Sequence, residues 1–235
     1  MPSPVGIFTD FHTHLLPDLD CSGHPDRAAA LIANIRAAGV ENVVLTPHFY
    51  PQLNASVDAF LRARDRKIQA LMTALDEQGQ PKLRFFAGAE VLLCAGLEHM
   101  EGLDGLCVGN TRTLLVEMPD VAWNDSLLAS LTALRDERQL DVLIAHAERY
   151  GKERAERLIR RGFKVQINAE SFGGFGQKRM LLDWAKSGYV YALGSDKHVH
   201  SDKNTPVYKA FVKAAGCLAP YAALLNERMQ AMLGL

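Results

Sequence analysis

The feature that most constrains the fold of this chain is a repeated order of strand and then helix. Short β-rich apolar runs alternate with amphipathic stretches of helical period along most of the 235 residues. This order is typical of a parallel sheet whose strands are connected by crossover helices. The predicted strands cover residues 7–11, 42–46, 83–88, 113–116, 142–145, 164–167 and 189–193.

Local signals support the predicted helices between these strands. Pro25 suits the first turn of a helix, Gly39 suits a C-terminal stop, and Asn124 is a candidate N-cap. Beyond residue 205 we predict one or two further helices, interrupted near Gly216 and Pro220. The predicted helices cover residues 25–38, 56–77, 125–138, 152–161, 177–186 and parts of 206–235.

The number of strand–helix units favours one α/β domain over residues 1–235. The units follow one another without a linker, a repeat or a boundary that would split the sheet. A chain of this length can also bury a substantial core in one domain. We therefore predict a closed or nearly closed parallel barrel, and an open doubly wound sheet is the alternative.

Composition argues against several classes of protein. The 26 Lys and Arg residues balance 27 Asp and Glu residues, whereas a nucleic-acid-binding surface would need a basic surplus. No apolar run reaches the length of a membrane span, and the N-terminus lacks a signal-peptide pattern. The four cysteines have no framework spacing, which predicts reduced thiols. These observations predict a cytoplasmic protein that does not insert into a membrane.

Most of the predicted strands are followed by residues of metal-binding types. His12 and His14 are two apart, so an extended strand would present both on the same face. The carboxyl ends of the strands in a parallel barrel meet at one face, which would bring distant residues together. The sixth strand is followed only by Asn168, a poor ligand. The candidate ligands, in chain order, are His12, His14, Asp20, His48, Glu90, Glu117, His146, Asp196 and His198.

The joint pattern, rather than any one residue, points to a metal centre. Taken singly, each residue has an ordinary explanation. His48 or His146 could be a histidine whose hydrogen bonds are made within the protein, Glu117 could be a favourable charge at a helix N-terminus, and Asp20 could form a turn. Together, uncompensated polar groups at a barrel mouth would be unfavourable without something to bind. Imidazole mixed with carboxylate suits manganese, iron or zinc rather than a structural thiolate site.

The size of the ligand set implies two or three metal ions. Nine side chains are too many for one ion, and a carboxylate is expected to bridge two of them. Three divalent ions would carry more positive charge than the four carboxylates could balance. This surplus favours an anionic substrate, such as a phosphate ester, or a bound hydroxide.

Six segments resemble motifs of the polymerase-and-histidinol-phosphatase (PHP) superfamily of metal-dependent phosphoesterases. The closer resemblance is to its bacterial protein-tyrosine-phosphatase branch, linked to capsular and exopolysaccharide synthesis. The resemblance implies a distorted TIM-like (β/α)7 barrel with a three-metal site at the strand C-terminal ends. The segments are Asp-Phe-His-Thr-His-Leu-Leu-Pro (10–17), Thr-Pro-His (46–48), Gly-Ala-Glu-Val (88–91), Leu-Val-Glu-Met-Pro (115–119), His-Ala-Glu-Arg (146–149) and Ser-Asp-Lys-His (195–198).

The resemblance also implies a role for each candidate residue. Arg149 matches an arginine that grips phosphate, and a guanidinium can do so bidentately. Asp196 and His48 are expected to be essential for catalysis as metal ligands, and the expected metal is manganese, with iron or zinc as alternatives. The implied grouping is His12, His14, Glu90 and Asp196 for one ion, Glu90, Glu117 and His146 for a second, and Asp20, His48 and His198 for a third.

The chain departs from the family pattern at three places. Ala147 stands where the branch usually has proline, and Lys203 stands near the position of a second arginine. The family often has two consecutive acids where this chain has Asp20 and Cys21, so either position could correspond to the third-metal ligand. Lys203 would bind phosphate as a point charge, without the fork of a guanidinium.

The resemblance implies hydrolysis of a phosphoester by a metal-activated hydroxide. The expected substrate is the phosphotyrosine tail of a membrane-bound bacterial tyrosine kinase, and association into an oligomer stays open. The alternatives are a small-molecule phosphatase acting on histidinol phosphate or a sugar phosphate, and a non-catalytic metal-binding module. Cys21 and Arg27 also match the C-x5-R spacing of cysteine-dependent phosphatases, although Ala28 replaces the expected hydroxyl residue.

Overall fold

The seven predicted strands are all present in a computed structural model of the protein. The structure describes residues 6–16, 19, 32–54, 56–77, 79, 83–198 and 207–235. Three further short strands that were not predicted follow the second, third and seventh predicted strands, which gives ten strands in these residues. They are β1 (Thr9–His14), β2 (Asn42–Leu45), β3 (His48–Phe49), β4 (Arg84–Ala87), β5 (Glu90–Leu92), β6 (Thr113–Glu117), β7 (Asp141–Ile144), β8 (Lys164–Asn168), β9 (Val190–Gly194) and β10 (Lys197–His198).

Every strand pairing in the described ranges is parallel, which confirms the predicted α/β class. The strands form a four-stranded sheet in the order β10-β1-β2-β4 and a six-stranded sheet in the order β3-β5-β6-β7-β8-β9. The chain passes directly from one sheet to the other at β2–β3, β4–β5 and β9–β10. The strands therefore follow the TIM-like order as two joined sheets, rather than as one uninterrupted ladder.

Helices lie between the strands, as the periodicity predicts. Residues 32–37 are helical, and the rest of the first predicted helix, including Pro25, lies outside the described residues. The last predicted region is broken between Cys217 and Ala222, so the interruption lies at Pro220 while Gly216 is still helical. The further helices are α1 (Val57–Glu77), α2 (Asp125–Asp136), α3 (Lys152–Arg160), α4 (Phe175–Lys186), α5 (Val207–Cys217) and α6 (Ala222–Leu233).

The predicted helix ends at Asn124 and Gly39 are confirmed. The Asn124 side chain accepts a hydrogen bond from the Leu127 amide at 2.9 Å, which caps α2. Gly39 has φ = 86° and follows the helical residues 32–37, as expected of a left-handed C-terminal stop. The helices in these ranges are all too short or too polar to span a membrane.

The central strand β1 explains where the polar centre of the molecule lies. All six of its residues are buried, although it carries Asp10, His12 and His14. These three side chains share one face of the strand because they are two residues apart. Val43 on the neighbouring strand β2 and Leu114 on β6 belong to the buried apolar core, so the histidines lie at the end of a largely apolar interior.

Candidate metal centre

Eight of the nine candidate ligands are described, and they meet at the carboxyl ends of the strands. Asp20, Cys21 and Lys203 lie outside the described residues. The elements that carry the eight side chains belong to both sheets, so the site assembles where the sheets join. His12 and His14 come from β1, His48 from β3, Glu90 from β5, Glu117 from β6, His146 from the turn after β7, Asp196 from the β9–β10 connection and His198 from β10.

Glu90 is the centre of this cluster. Its side chain is 1% exposed. Its Oε2 lies 3.3 Å from Nε2 of His12, 3.3 Å from Nε2 of His14 and 3.0 Å from Nδ1 of His48. Its Oε1 lies 2.8 Å from Nε2 of His146. One carboxylate therefore contacts four imidazoles, which is the geometry expected of a bridging ligand.

Asp196 forms a second side of the cluster and faces two kinds of neighbour. Its Oδ1 lies 3.3 Å from Nε2 of His14 and 3.6 Å from Nε2 of His12. Its Oδ2 lies 2.5 Å from a guanidinium nitrogen of Arg149 and accepts a hydrogen bond from Asn168 at 2.9 Å. Arg149, predicted to bind phosphate, therefore lies beside the cluster.

The remaining ligands extend the cluster on both sides of Glu90. The Nε2 atoms of His48 and His198 are 3.3 Å apart, and the His14 ring stacks on both rings at 4.1 Å. Glu117 Oε1 lies 3.7 Å from Nε2 of His146. Three overlapping groups have donor atoms within 4.8 Å of one another: His14, His48 and His198; His12, His14 and Asp196; and His48, Glu90 and Glu117. His14 and His48 thus each belong to two groups.

The donor set fits divalent metal ions. Glu90 Oε2 is buried and makes no hydrogen bond of acceptable geometry to any described residue, although three imidazole nitrogens lie within 3.3 Å. The Nε2 atoms of His12 and His14 also face each other at 3.0 Å. Buried polar atoms that converge in this way would be satisfied by a cation between them. Imidazole nitrogen with carboxylate oxygen suits manganese, iron or zinc.

The electrostatics of the cluster favour the metal-binding forms of Glu90, Asp196 and His198, whereas these two carboxylates raise the pKa of His12 against the effect of burial. Burial by itself raises the pKa of Glu90 and Asp196, but His12 and the other side chains around them together outweigh burial and hold both pKa values below their usual range. Burial, with a smaller contribution from the neighbouring His14, lowers the pKa of His198 to about 4. Ionised carboxylates and a neutral imidazole are the metal-binding forms of these groups.

Gln166 is a residue of this site that the sequence did not indicate. Its amide is fully buried and its orientation is fixed, because Nε2 donates to Ile167 O at 2.7 Å and to Asn168 Oδ1 at 2.8 Å. Its Oε1 accepts from the His146 amide at 2.7 Å and lies 3.1 Å from Nδ1 of His12. Nδ1 of His12 must therefore donate, which leaves its Nε2 lone pair for the cluster.

Asn168 continues this chain of hydrogen bonds to a second ligand. Its Oδ1 accepts from Gln166, and its Nδ2 donates to Asp196 at 2.9 Å. Its own amide donates to buried Glu148 at 3.1 Å, and the Ser171 hydroxyl donates to the same carboxylate oxygen at 2.7 Å. Asn168 thus orients the candidate ligand Asp196. Such outer contacts set ligand direction and basicity.

The backbone has an unusual conformation at two positions of the site, and a third position allows no side chain. His146 and Asp196 have φ values of 31° and 51°, in the left-handed region that residues other than glycine rarely occupy. Gly194 lies against the cluster, and a Cβ there would come within 2.5 Å of His12 Cβ and 2.8 Å of Gln166 Nε2. Only glycine fits this close approach, and a single glycine at a strand end carries no sequence signal that identifies it.

A cavity of about 500 Å³ opens beside Glu117 and His146. Arg149, Tyr150 and Arg154 line it, together with Leu92 and the 118–120 segment. Tyr150 is fixed because its hydroxyl accepts a hydrogen bond from the Met118 amide at 2.9 Å. Burial raises the pKa of Tyr150, so its phenol stays protonated at neutral pH. The cavity combines an aromatic wall with two guanidinium groups next to the cluster.

Comparison with known proteins identifies relatives of this chain. A family model described as capsular polysaccharide synthesis, CpsB/CapC, matches residues 8–215. No curated protein matches the sequence significantly. Among solved structures, a chain from the crystal structures of YwqE from Bacillus subtilis and CpsB from Streptococcus pneumoniae, described as unique metal-dependent tyrosine phosphatases, is similar with a TM-score of 0.78 at 21% identity. The similarity covers 97% of this chain and 94% of that chain.

Two further solved structures share the fold at lower similarity. Histidinol phosphate phosphatase from Lactococcus lactis, complexed with zinc, L-histidinol and phosphate, has a TM-score of 0.56 at 15% identity over 89% of this chain and 94% of that chain. A phosphotriesterase homology protein from Escherichia coli, with phosphate in its active site, has a TM-score of 0.51 at 15% identity over 83% of each chain. The family match spans most of the sequence, and the fold agrees with the predicted superfamily. The chain therefore belongs to the CpsB/CapC family of capsular polysaccharide synthesis.

Proposed function

We propose that this chain is a metal-dependent phosphoester hydrolase. The observation that carries the proposal is the buried Glu90 carboxylate in contact with four imidazoles, beside Asp196 and the guanidinium of Arg149. Support comes from the solved structures with the same fold that are described as phosphatases or contain phosphate. The proposed metal ligands are His12, His14, His48, Glu90, Glu117, His146, Asp196 and His198.

The proposed metal is manganese, held in a site of two or more ions. Bound divalent ions supply an activated water and neutralise the charge of the phosphoryl group. The overlapping donor groups around His14, His48 and Glu90 support more than one ion. Iron or zinc would suit the same mixture of imidazole and carboxylate, so metal analysis decides among the three.

The protein's own residues orient the ligands and bind the phosphoryl group. Gln166 holds His12 in the tautomer that directs Nε2 towards Glu90, and Asn168 holds Asp196. Arg149 lies 2.5 Å from Asp196, and its side chain is 54% exposed, so it can turn towards a phosphate beside the cluster. A guanidinium holds phosphate through two parallel hydrogen bonds and stabilises the charge on the equatorial oxygens.

The proposed substrate is a phosphotyrosine protein, specifically the tail of a membrane-bound tyrosine kinase of capsule synthesis, reached from the cytoplasm. The family assignment and the Bacillus and Streptococcus structures support this choice. The cavity beside Glu117 has room for a phenyl ring, and Leu92, Met118 and Tyr150 supply apolar and aromatic surface for it. A flat aromatic wall next to a phosphate-binding arginine is the combination that a phosphotyrosine side chain requires.

A two-part experiment tests this proposal. Protein purified without chelator is analysed for metal content, and turnover is measured on phosphotyrosine peptides. Asp196→Ala and His48→Ala are expected to lower kcat by orders of magnitude while circular dichroism shows a retained fold, because both remove a proposed ligand. Arg157→Gln serves as the matched control, since Arg157 is exposed on α3 outside the cavity. Near-normal kcat in both ligand variants would contradict the proposal.

A small-molecule phosphatase is the second candidate, supported by the fold shared with histidinol phosphate phosphatase from Lactococcus. Comparing kcat/KM on histidinol phosphate with kcat/KM on phosphotyrosine peptides separates the two. Stoichiometric metal without hydrolysis of any phosphoester would instead favour a non-catalytic metal-binding module. Activity that is abolished by chelator and survives Cys21→Ser would exclude the cysteine-dependent chemistry that the Cys21–Arg27 spacing suggests.

A further inference from the structure

We propose that Arg154, held on the face of Trp123, binds a second anionic group of the substrate in the cavity next to the metal centre. This inference rests on the proposed function and adds a recognition element to it. The ligand chemistry is a carboxylate or a second phosphate close in sequence to the phosphotyrosine of the same peptide. The starting observation is that Arg149 and Arg154 line one cavity, together with Glu117 and His146 of the cluster.

Trp123 gives the Arg154 guanidinium a defined position. The indole Nε1 donates a hydrogen bond to Pro119 O at 3.1 Å, and the ring packs edge-on against Tyr150 at 5.4 Å. The Arg154 Cζ lies 5.4 Å from the centre of the Trp123 ring, which is within cation–π distance. A stacked guanidinium keeps its edge and its N–H donors open for an anion.

Helix stability does not explain an arginine at position 154. It lies in the first turn of α3, where cations are unfavourable because the helix dipole is positive there. No carboxylate of the described residues lies within ion-pair distance of its guanidinium, whereas Arg160 near the end of the same helix pairs with Glu156 at 3.7 Å. The Trp123 contact therefore accounts for its position, and its hydrogen-bonding capacity is left for a ligand.

The two arginines of the cavity have different neighbours, which assigns them different roles. Arg149 lies 2.5 Å from Asp196, so it is placed to meet the phosphoryl group at the cluster. Arg154 belongs to a different element, helix α3, and its guanidinium is positioned by Trp123. Asp120 and Glu117 also line the cavity and repel anions, so an acidic group would be favoured only where it meets the guanidinium. This arrangement selects for a second acid at a definite distance from the phosphate.

The test uses binding, so that it does not depend on turnover. Metal-loaded full-length protein is titrated with labelled peptides that carry a non-hydrolysable phosphonate analogue of phosphotyrosine. The neighbouring residue of the peptide is Gln, Glu or a second such analogue. Wild-type protein is expected to bind the two acidic peptides about threefold to fivefold more tightly than the Gln peptide, as for an exposed ion pair. The Glu and phosphonate arms separate the two sources of the anion.

Arg154→Gln is expected to abolish this preference, and Arg157→Gln is expected to keep it. Both variants lose one positive charge on exposed positions of α3, so the comparison corrects for net charge. Equal preference in wild-type protein and Arg154→Gln, or an equal loss of affinity for all three peptides, would overturn the inference. If wild-type protein fails to hydrolyse the corresponding phosphotyrosine peptides in a separate assay, with the binding preference intact, the proposed function is contradicted instead.

Discussion

Replacing Gln166 by methionine tests whether the buried amide sets the metal affinity of the centre. Methionine is unbranched and close in size to glutamine, so the change removes polar atoms with little change in packing. The Gln166 amide contacts four polar groups at 2.7 to 3.1 Å, and each of these groups loses its contact with the amide in the variant. Two of these are donors, the His12 Nδ1–H and the His146 amide, and both are buried.

The size of the effect follows from these contacts. A buried donor without a partner destabilises a fold by about 1–3 kcal/mol, so the two donors imply a loss of about 2–4 kcal/mol after partial relaxation. Metal binding is expected to weaken by about tenfold to one-hundredfold, as for other residues that orient a ligand. The physical reason is that His12 can then place its proton on Nε2, the nitrogen that faces Glu90 and His14.

The assay compares manganese affinity by calorimetry with the thermal unfolding midpoint of the same samples. Asn42→Leu is the matched control, because it also removes a buried amide. The Asn42 amide donates to Thr9 at 3.0 Å at the amino-terminal ends of β1 and β2, away from the cluster at their carboxyl ends. The control is expected to lower the unfolding midpoint and leave metal affinity unchanged. If folded Gln166→Met binds manganese as tightly as the wild-type protein does, the orienting role of this amide is refuted.

Two further predictions concern a close approach and a thiol. Gly194→Ala is expected to lower both metal affinity and stability, since the new Cβ would lie 2.5 Å from His12 Cβ. Gly173→Ala is the control and should change metal affinity little, because no neighbouring atom lies within 4 Å of a Cβ at that position. Calorimetry on both variants checks this. Burial raises the pKa of Cys107 to about 12, so native protein should resist alkylation at Cys107 at pH 8.5 while unfolded protein reacts. Rapid native labelling at Cys107, read by peptide mass analysis, would contradict the second prediction.

The sequence predicts the frame of this molecule because strand and helix periods are local properties. The run before His12 and the Asn124 cap need only neighbouring residues to be recognised, and both predictions agree with the structure. The residue types of the metal cluster can also be recognised in the sequence, since it is unusual for most strands of a chain to be followed by an imidazole or a carboxylate. The structure brings the eight described candidates together, although only two pairs of them, His12 with His14 and Asp196 with His198, are close in the chain.

The supporting residues could not be predicted, because their roles depend on distances between strands. Gln166 matters only because β8 places it between His12 of β1 and His146 after β7. A buried glutamine in a strand is otherwise unremarkable in a sequence. Gly194 likewise matters only because the His12 side chain lies so close to it that a Cβ at position 194 would not fit. Both relations join residues at least twenty positions apart, so no local pattern records them.

Two pairs with the same sequence spacing also end in different arrangements, which shows the limit of reasoning from period alone. His12 and His14 lie in the extended strand β1, so both imidazoles point the same way and their Nε2 atoms are 3.0 Å apart. Asp196 and His198 are equally spaced, but Asp196 has φ = 51° and lies between β9 and β10.

The alternation of an extended strand therefore does not apply to the second pair. His198 is paired in register with His14 on β1, and its Nε2 meets that of His48 at 3.3 Å. Asp196 also contacts His14, but it turns towards His12, Arg149 and Asn168 rather than towards His48. The left-handed residue thus lets one short segment supply ligands to two donor groups of the cluster. A strictly extended segment would have presented Asp196 and His198 side by side, as β1 presents its histidines.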